Sequence, residues 1–182
     1  MNSVAIVTGA SQGIGRSTSI RLARDFSSIV LVARNAKALN EVADVVKTAG
    51  AEPLICDLDL SRVESAETLI KKTLARFGRI DALLNIAGAV PQIDLFEITD
   101  EQWRAGMELK LHGARRTTML AWDALKKSQG SVVFMSGSAA LTQSPPLQRS
   151  WQRMQPSRRL LKPSPNKVSK MACRLTALSR AL

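Results

Sequence analysis

Thr8-Gly9-Ala10-Ser11-Gln12-Gly13-Ile14-Gly15 constrains this chain more than any other stretch. It follows SVAIVT, residues 3–8, a short apolar and β-branched run that reads as a buried strand. It leads into residues 14–26, where Ile14, Ile20, Leu22, Ala23 and Phe26 recur at helical spacing between arginines and serines. A strand turning this sharply into a helix needs positions without a β-carbon. Gly9 permits the turn, Gly13 lets a pyrophosphate approach the backbone, and Gly15 lets helix and strand pack closely. The free N–H groups and the positive end of the helix then face the anion. Three glycines alone are a weak signal; set between a first strand and a helix they point to dinucleotide binding.

The same alternation continues. SIVLVA predicts a strand at 28–33, followed by a helix over 36–49 closed by Gly50. A strand over 51–56 and a helix over 61–77 closed by Gly78 come next. ALLN predicts a fourth strand, residues 99–127 a long fourth helix, and GSVVFMS at 130–136 a fifth strand. Parallel neighbours need crossover connections, and helices supply them, so five strands alternating with four helices imply a doubly wound α/β fold with a parallel sheet. Such sheets bind ligands beyond the carboxyl ends of their strands.

Thr8, Gly9, Gly13 and Gly15 match the Thr-Gly-x-x-x-Gly-x-Gly fingerprint of the short-chain dehydrogenase/reductase family, which residues 3–141 resemble. Ala33-Arg34-Asn35, Cys56-Asp57-Leu58 and Asn85-Ile86-Ala87-Gly88 follow in the family's order after strands two, three and four. The resemblance implies a Rossmann fold, a nicotinamide dinucleotide as cofactor, and hydride transfer between it and a small carbonyl or alcohol substrate. It also implies that Gly9, Ser11, Gln12, Gly13, Ile14 and Gly15 hold the cofactor's phosphates. Asp57 and Leu58 would meet the adenine, and Asn85, Ala87 and Gly88 the nicotinamide ribose. A helix cap is the alternative role for Asp57, and a turn residue for Asn85. Arg34 and Asn35 close the second strand, where an acidic residue selects NAD and an arginine selects NADP. With Arg34 there, NADP is the expected cofactor and NAD the less favoured one.

The family's chemistry needs a tyrosine, a lysine four residues after it, a serine, and an asparagine on the fourth helix. The chain contains no tyrosine. Asn166-Lys167-Val168-Ser169-Lys170 puts an amide where the phenol would stand, too far beyond the fifth strand. The asparagine position falls on Lys110, which reads as an exposed helix lysine, and the lone His112 reads as structural. Gly137 takes the serine position, leaving Ser138, one residue displaced, as the catalytic candidate. The reading is therefore an oxidoreductase by lineage with impaired turnover. The competing reading is a non-catalytic nucleotide-binding or interaction protein.

Composition divides the chain at about residue 141. Residues 1–141 carry 17 Lys and Arg against 15 Asp and Glu, whereas 142–182 carry nine and none. All ten glycines precede position 138 and five of the seven prolines follow position 144. The domains expected are a truncated dinucleotide-binding unit over 1–141, incomplete after the fifth strand, and a basic, poorly ordered tail over 142–182. A one-base frameshift near the codons for Thr142–Leu147 would produce such a tail. Genes of related strains with silent substitutions concentrated in this frame would speak against that origin. The tail's charges are scattered, with no base-reading module and no heptads, so neither nucleic acid nor an acidic membrane is the partner expected. Self-association is expected instead, through an exposed fifth-strand edge and through Leu109, Met119 and Leu125, for which the fourth helix would lack a neighbour. No apolar run reaches the length of a membrane span, and the N-terminus lacks the pattern of a secretory leader. With Cys56 and Cys173 far apart, no disulfide is expected, and a cytoplasmic location is.

Overall fold

The five strands expected from the sequence run side by side in the order β3-β2-β1-β4-β5, all parallel. The computed structural model describes residues 2–88, 93 and 96–136, so Ser138 and residues 142–182 lie outside the described part. The strands are β1 (Val4–Thr8), β2 (Ser28–Ala33), β3 (Glu52–Asp57), β4 (Ala82–Asn85) and β5 (Ser131–Phe134). The helices are α1 (Gly13–Leu22), α2 (Ala36–Thr48), α3 (Val63–Phe77), α4 (Asp100–Met107) and α5 (Ala114–Ser128). This is the doubly wound α/β architecture expected, with the reversal of strand order between β1 and β4.

β1 is buried at every position because the centre of the sheet is covered on both faces. Side chains alternate across it. Val4 and Ile6 join Val30, Val32 and Leu83 in one core with Leu69 of α3 and Ala121 and Leu125 of α5. Ala5 and Val7 join Ile29 and Leu31 in the other core with Leu39, Val42 and Val46 of α2. Asp81 ties the sheet's amino end, accepting from Val4 N at 2.8 Å and from Arg79 Nε at 2.9 Å.

Helix ends follow local chemistry. Asn35 caps α2 through Oδ1, which accepts from Ala38 N at 3.1 Å. Gly78 ends α3 in the left-handed conformation, φ +70°. Thr99 and Gln102 form a capping box at the start of α4.

The long fourth helix is not uniform. A π-helical turn, Glu108–Gly113, separates α4 from α5. Gly113 in that turn packs on the Leu60 carbonyl, and Arg116 binds both Glu108, at 2.6 Å, and the Ser61 carbonyl, at 3.1 Å. A reading that assumes one unbroken 3.6-residue period does not anticipate such an insertion, which turns the side chains after it by about 100°. Two of the side chains expected to lack a neighbour have one: Leu125 is buried and Leu109 packs against the core, while Met119 is exposed. No described helix is long and apolar enough to cross a membrane.

Candidate functional site

Beyond the carboxyl ends of β1 and β4, three backbone segments meet. Gly9 has φ +70°, which favours glycine, and a β-carbon there would lie 3.0 Å from the Ala87 Cα. Gly15 needs its hydrogen for another reason: a β-carbon would overlap the Gly9 carbonyl oxygen and lie 2.6 Å from its carbon. The first helical turn and the strand-end loop therefore touch backbone to backbone. Gly13 is different again. Its φ is +54°, yet a β-carbon would meet nothing within 4 Å.

Around these glycines the turn stays open. Gln12, Gly13 and Ile14 are exposed and Ser11 is half-buried. Ile14 is 60% exposed in the first turn of α1. Among the described residues no side chain caps the N-terminus of α1, and no acid lies in its first turn. Uncapped N–H groups at a helix start can hold an anion.

Thr8 joins the two central strands. Its buried hydroxyl donates to the Leu84 carbonyl at 3.2 Å and accepts from Ile86 N at 2.9 Å and Ala87 N at 3.0 Å. The threonine of the fingerprint thus shapes the loop carrying Ala87 and Gly88. In the sequence Thr8 is one letter of the glycine motif, and the signal of its role is a hydroxyl ending a strand that is otherwise apolar. Asn85 is buried, and its Nδ2 donates to Thr118 Oγ1 of α5 at 3.1 Å, so it locks β4 to that helix. Its Oδ1 is buried without a partner among the described residues.

Arg34 is exposed just past β2, and Asn35 spends its side-chain oxygen on the α2 cap. Asp57 ends β3, opposite Ala33, and is exposed. It does not cap α3, which begins after Arg62, because the intervening residues 58–62 carry the chain away from the strand end. Leu58 is half-buried against the core, and its amide donates to the Ala33 carbonyl at 3.0 Å. The turn after β3 also brings in Asp59, which the end of β2 by itself does not foretell. Partial burial raises the Asp59 carboxyl, but hydrogen bonds from Ser61, then the charges of Arg34 and Arg62, outweigh it and hold the carboxyl below its ordinary value. Arg34 and a carboxylate therefore share this edge of the site.

Lys110 is a correction. Rather than projecting from an exposed helix face, it is half-buried, with its side chain over Gly88. Lys110 lies within the π-helical turn, whose wider winding changes the facing of its side chains relative to an uninterrupted helix. His112 is exposed. Ser138, the catalytic candidate, lies outside the described residues, so the geometry brings together Gly9–Gly15, Arg34, Asp57 and Asn85–Gly88 without it.

Comparison with known proteins agrees with this architecture. The family model described as short chain dehydrogenase matches residues 3–148. 11-beta-hydroxysteroid dehydrogenase A of Sesamum indicum is 33% identical over 144 residues, which are 78% of this chain and 41% of that protein. 11-beta-hydroxysteroid dehydrogenase-like 2 of Arabidopsis thaliana is 34% identical over 141 residues, 76% of this chain and 46% of the relative. The chain thus spans less than half the length of these curated relatives. Among solved structures, the alcohol dehydrogenase of Thermococcus sibiricus complexed with 5-hydroxy-NADP superposes with a TM-score of 0.75 at 31% identity, covering 83% of this chain and 66% of that one. L-sorbose reductase of Gluconobacter frateurii, complexed with NADPH and L-sorbose, gives 0.68 at 28% identity, covering 72% and 51%. Motif order, strand order and the extent of the family match lead to one conclusion: the chain belongs to the short-chain dehydrogenase family.

Proposed function

We propose that residues 1–141 form a nicotinamide dinucleotide-binding unit that prefers NADP(H), of a lineage whose chemistry is hydride transfer between that cofactor and a carbonyl or alcohol. The observation that carries this reading is the β1–α1 turn, where Gly15 packs on the Gly9 carbonyl and Gly13 faces open space at an uncapped helix start. That cradle accepts a pyrophosphate without rearrangement. Ser11, Gln12 and Ile14 flank the phosphates, Asp57 and Leu58 the adenine, and Asn85, Ala87 and Gly88 the nicotinamide ribose. When bound, the cofactor supplies the hydride.

The NADP preference rests on Arg34, whose guanidinium offers the 2′-phosphate a charge-assisted contact worth roughly 1.5–3 kcal/mol, or about tenfold to a hundredfold in affinity. Asp59 works against part of this. Two similar proteins, the Thermococcus sibiricus and Gluconobacter frateurii enzymes, were solved with NADP-type cofactors. Fluorescence titration of wild type and Arg34→Ala with NADPH and NADH tests the preference. The variant should lose affinity for NADPH alone, and equal NADPH affinities would remove Arg34 from the site.

Turnover by these 182 residues is proposed to be weak. No tyrosine is present to pass a proton to the substrate oxygen, and such acid catalysis commonly contributes about 10² to 10⁴ in rate. That absence favours a second reading, a protein that binds the dinucleotide without reducing a substrate. A broad carbonyl-substrate assay with NADPH separates the two, since measurable turnover would exclude the second. The partner proposed besides the dinucleotide is a second copy of the chain, because Val133 and Phe134 of β5 and Met119 and Trp122 of α5 are exposed.

A further inference from the structure

Lys110 lies where the sheet's carboxyl end meets the π-helical turn. A β-carbon added to Gly88 would come within 2.7 Å of Lys110 Cδ and 3.2 Å of its Nζ. The absent side chain at Gly88 is what leaves room for the lysine's chain. The ammonium has no ion-pair or hydrogen-bond partner among the described residues, and two acids near it in sequence are engaged elsewhere. Glu108 pairs with Arg116 at 2.6 Å and Asp100 with Arg104 at 3.6 Å. Burial pulls the Lys110 pKa below its ordinary value. Gly113 on the Leu60 carbonyl and Arg116 on the Ser61 carbonyl hold the turn in place. A half-desolvated cation without a counter-charge among the described residues is destabilising, and an entering anion would relieve the cost.

We propose that Lys110 is an anion-binding residue of the cleft over Gly88, pairing with a carboxylate or phosphate oxygen of the ligand that lies there. The proposal rests on reading Asn85–Gly88 as a wall of the dinucleotide cleft. Two sources offer the same chemistry, a phosphate of the dinucleotide or a carboxylate of the substrate, and the second would direct the cleft toward oxo acids rather than neutral carbonyl compounds. Positive charge at this point serves either one.

The full chain is titrated with NADPH, with oxalate after NADPH saturation, and with oxalate alone, in wild type, Lys110→Met and Lys110→Arg. Lys110→Met should weaken one ligand about tenfold or more, and Lys110→Arg should restore most of the loss. A loss confined to NADPH assigns the phosphate, and a loss confined to oxalate assigns the carboxylate. Thermal unfolding without ligand supplies the readout that a packing role would not produce: Lys110→Met should unfold at or above the wild-type temperature, because it removes a desolvated charge. Unchanged affinity for both ligands, or weaker binding together with a lower unfolding temperature, overturns the proposal. If wild type binds no NADPH, the dinucleotide reading fails separately, and the oxalate-alone arm decides for Lys110: a Lys110-dependent affinity supports it, and none refutes it.

Discussion

Replacing Thr8 by valine keeps the shape of the side chain and removes one oxygen, which makes it a direct probe of how β1 builds the loop after β4. That oxygen serves three backbone groups: the Leu84 carbonyl at 3.2 Å and the amides of Ile86 and Ala87 at 2.9 and 3.0 Å. Thr8 is 1% exposed, so water does not readily replace it. Leaving a buried polar group unpaired costs about 1–3 kcal/mol. Ile86 and Ala87 are half-buried and recover part of that from solvent, so the lower end applies to each amide, about 2–3 kcal/mol in all. For a domain of this size the melting temperature should fall by about 5–10 °C. Thr8→Ser keeps the hydroxyl and should lose less than about 1.5 kcal/mol, the cost of a buried methyl group. Urea denaturation of the three proteins measures the difference. The loop that Thr8 holds carries Ala87 and Gly88, so NADPH affinity should fall with Thr8→Val as well. A valine variant within about 0.5 kcal/mol of wild type, which is the scatter of ordinary surface substitutions, would show that the hydroxyl does not organise the strand ends.

Other perturbations separate packing from binding. Gly15→Ala places a methyl on the Gly9 carbonyl and should cost about 1–3 kcal/mol with loss of NADPH binding, whereas Gly13→Ala meets no atom and should cost only the strain of its positive φ, about 1–2 kcal/mol; chemical denaturation and NADPH titration rank the two. Burial pushes the Cys56 thiol up from near 9 to about 11, so the folded state favours the neutral form. The corresponding stability, about 2–3 kcal/mol, is fully present below pH 9 and is lost as pH rises toward 11; the slope of stability over that window should flatten in Cys56→Ala. Light scattering should find the chain self-associated, with Phe134→Glu shifting it toward monomer, and a wild-type monomer would contradict the exposed-edge argument.

What the sequence displayed and what it concealed divide along physical lines. β1 and β2 are apolar apart from Thr8 and Ser28 because both faces are covered, and the glycine trio marks the tight turn from the first strand into a helix, so fold and phosphate turn were legible. Gly50 and Gly78 likewise marked the ends of α2 and α3 where positive φ is needed. The π-helical turn at Glu108–Gly113 was not legible, because a single 3.6-residue period was read across it and no residue type marks where the winding widens. Lys110 was misread as exposed for that reason, and Met119, Leu125 and Leu109 were grouped together although only Met119 is left uncovered. Asp59 escaped notice because its influence on Arg34 crosses from the turn after β3 to the end of β2, a proximity that depends on strand pairing rather than on chain order.

The β1–α1 turn of this chain is proposed to hold a nicotinamide dinucleotide. Calorimetric titration of the full 182-residue protein with NADPH tests it most directly, with Gly15→Ala, checked to be folded by circular dichroism, as the control that closes the turn. Saturable binding of one NADPH per chain, tighter than NADH, is expected, together with its loss in the control. Absence of saturable heat with folded wild-type protein, or equal binding by folded Gly15→Ala, would contradict it.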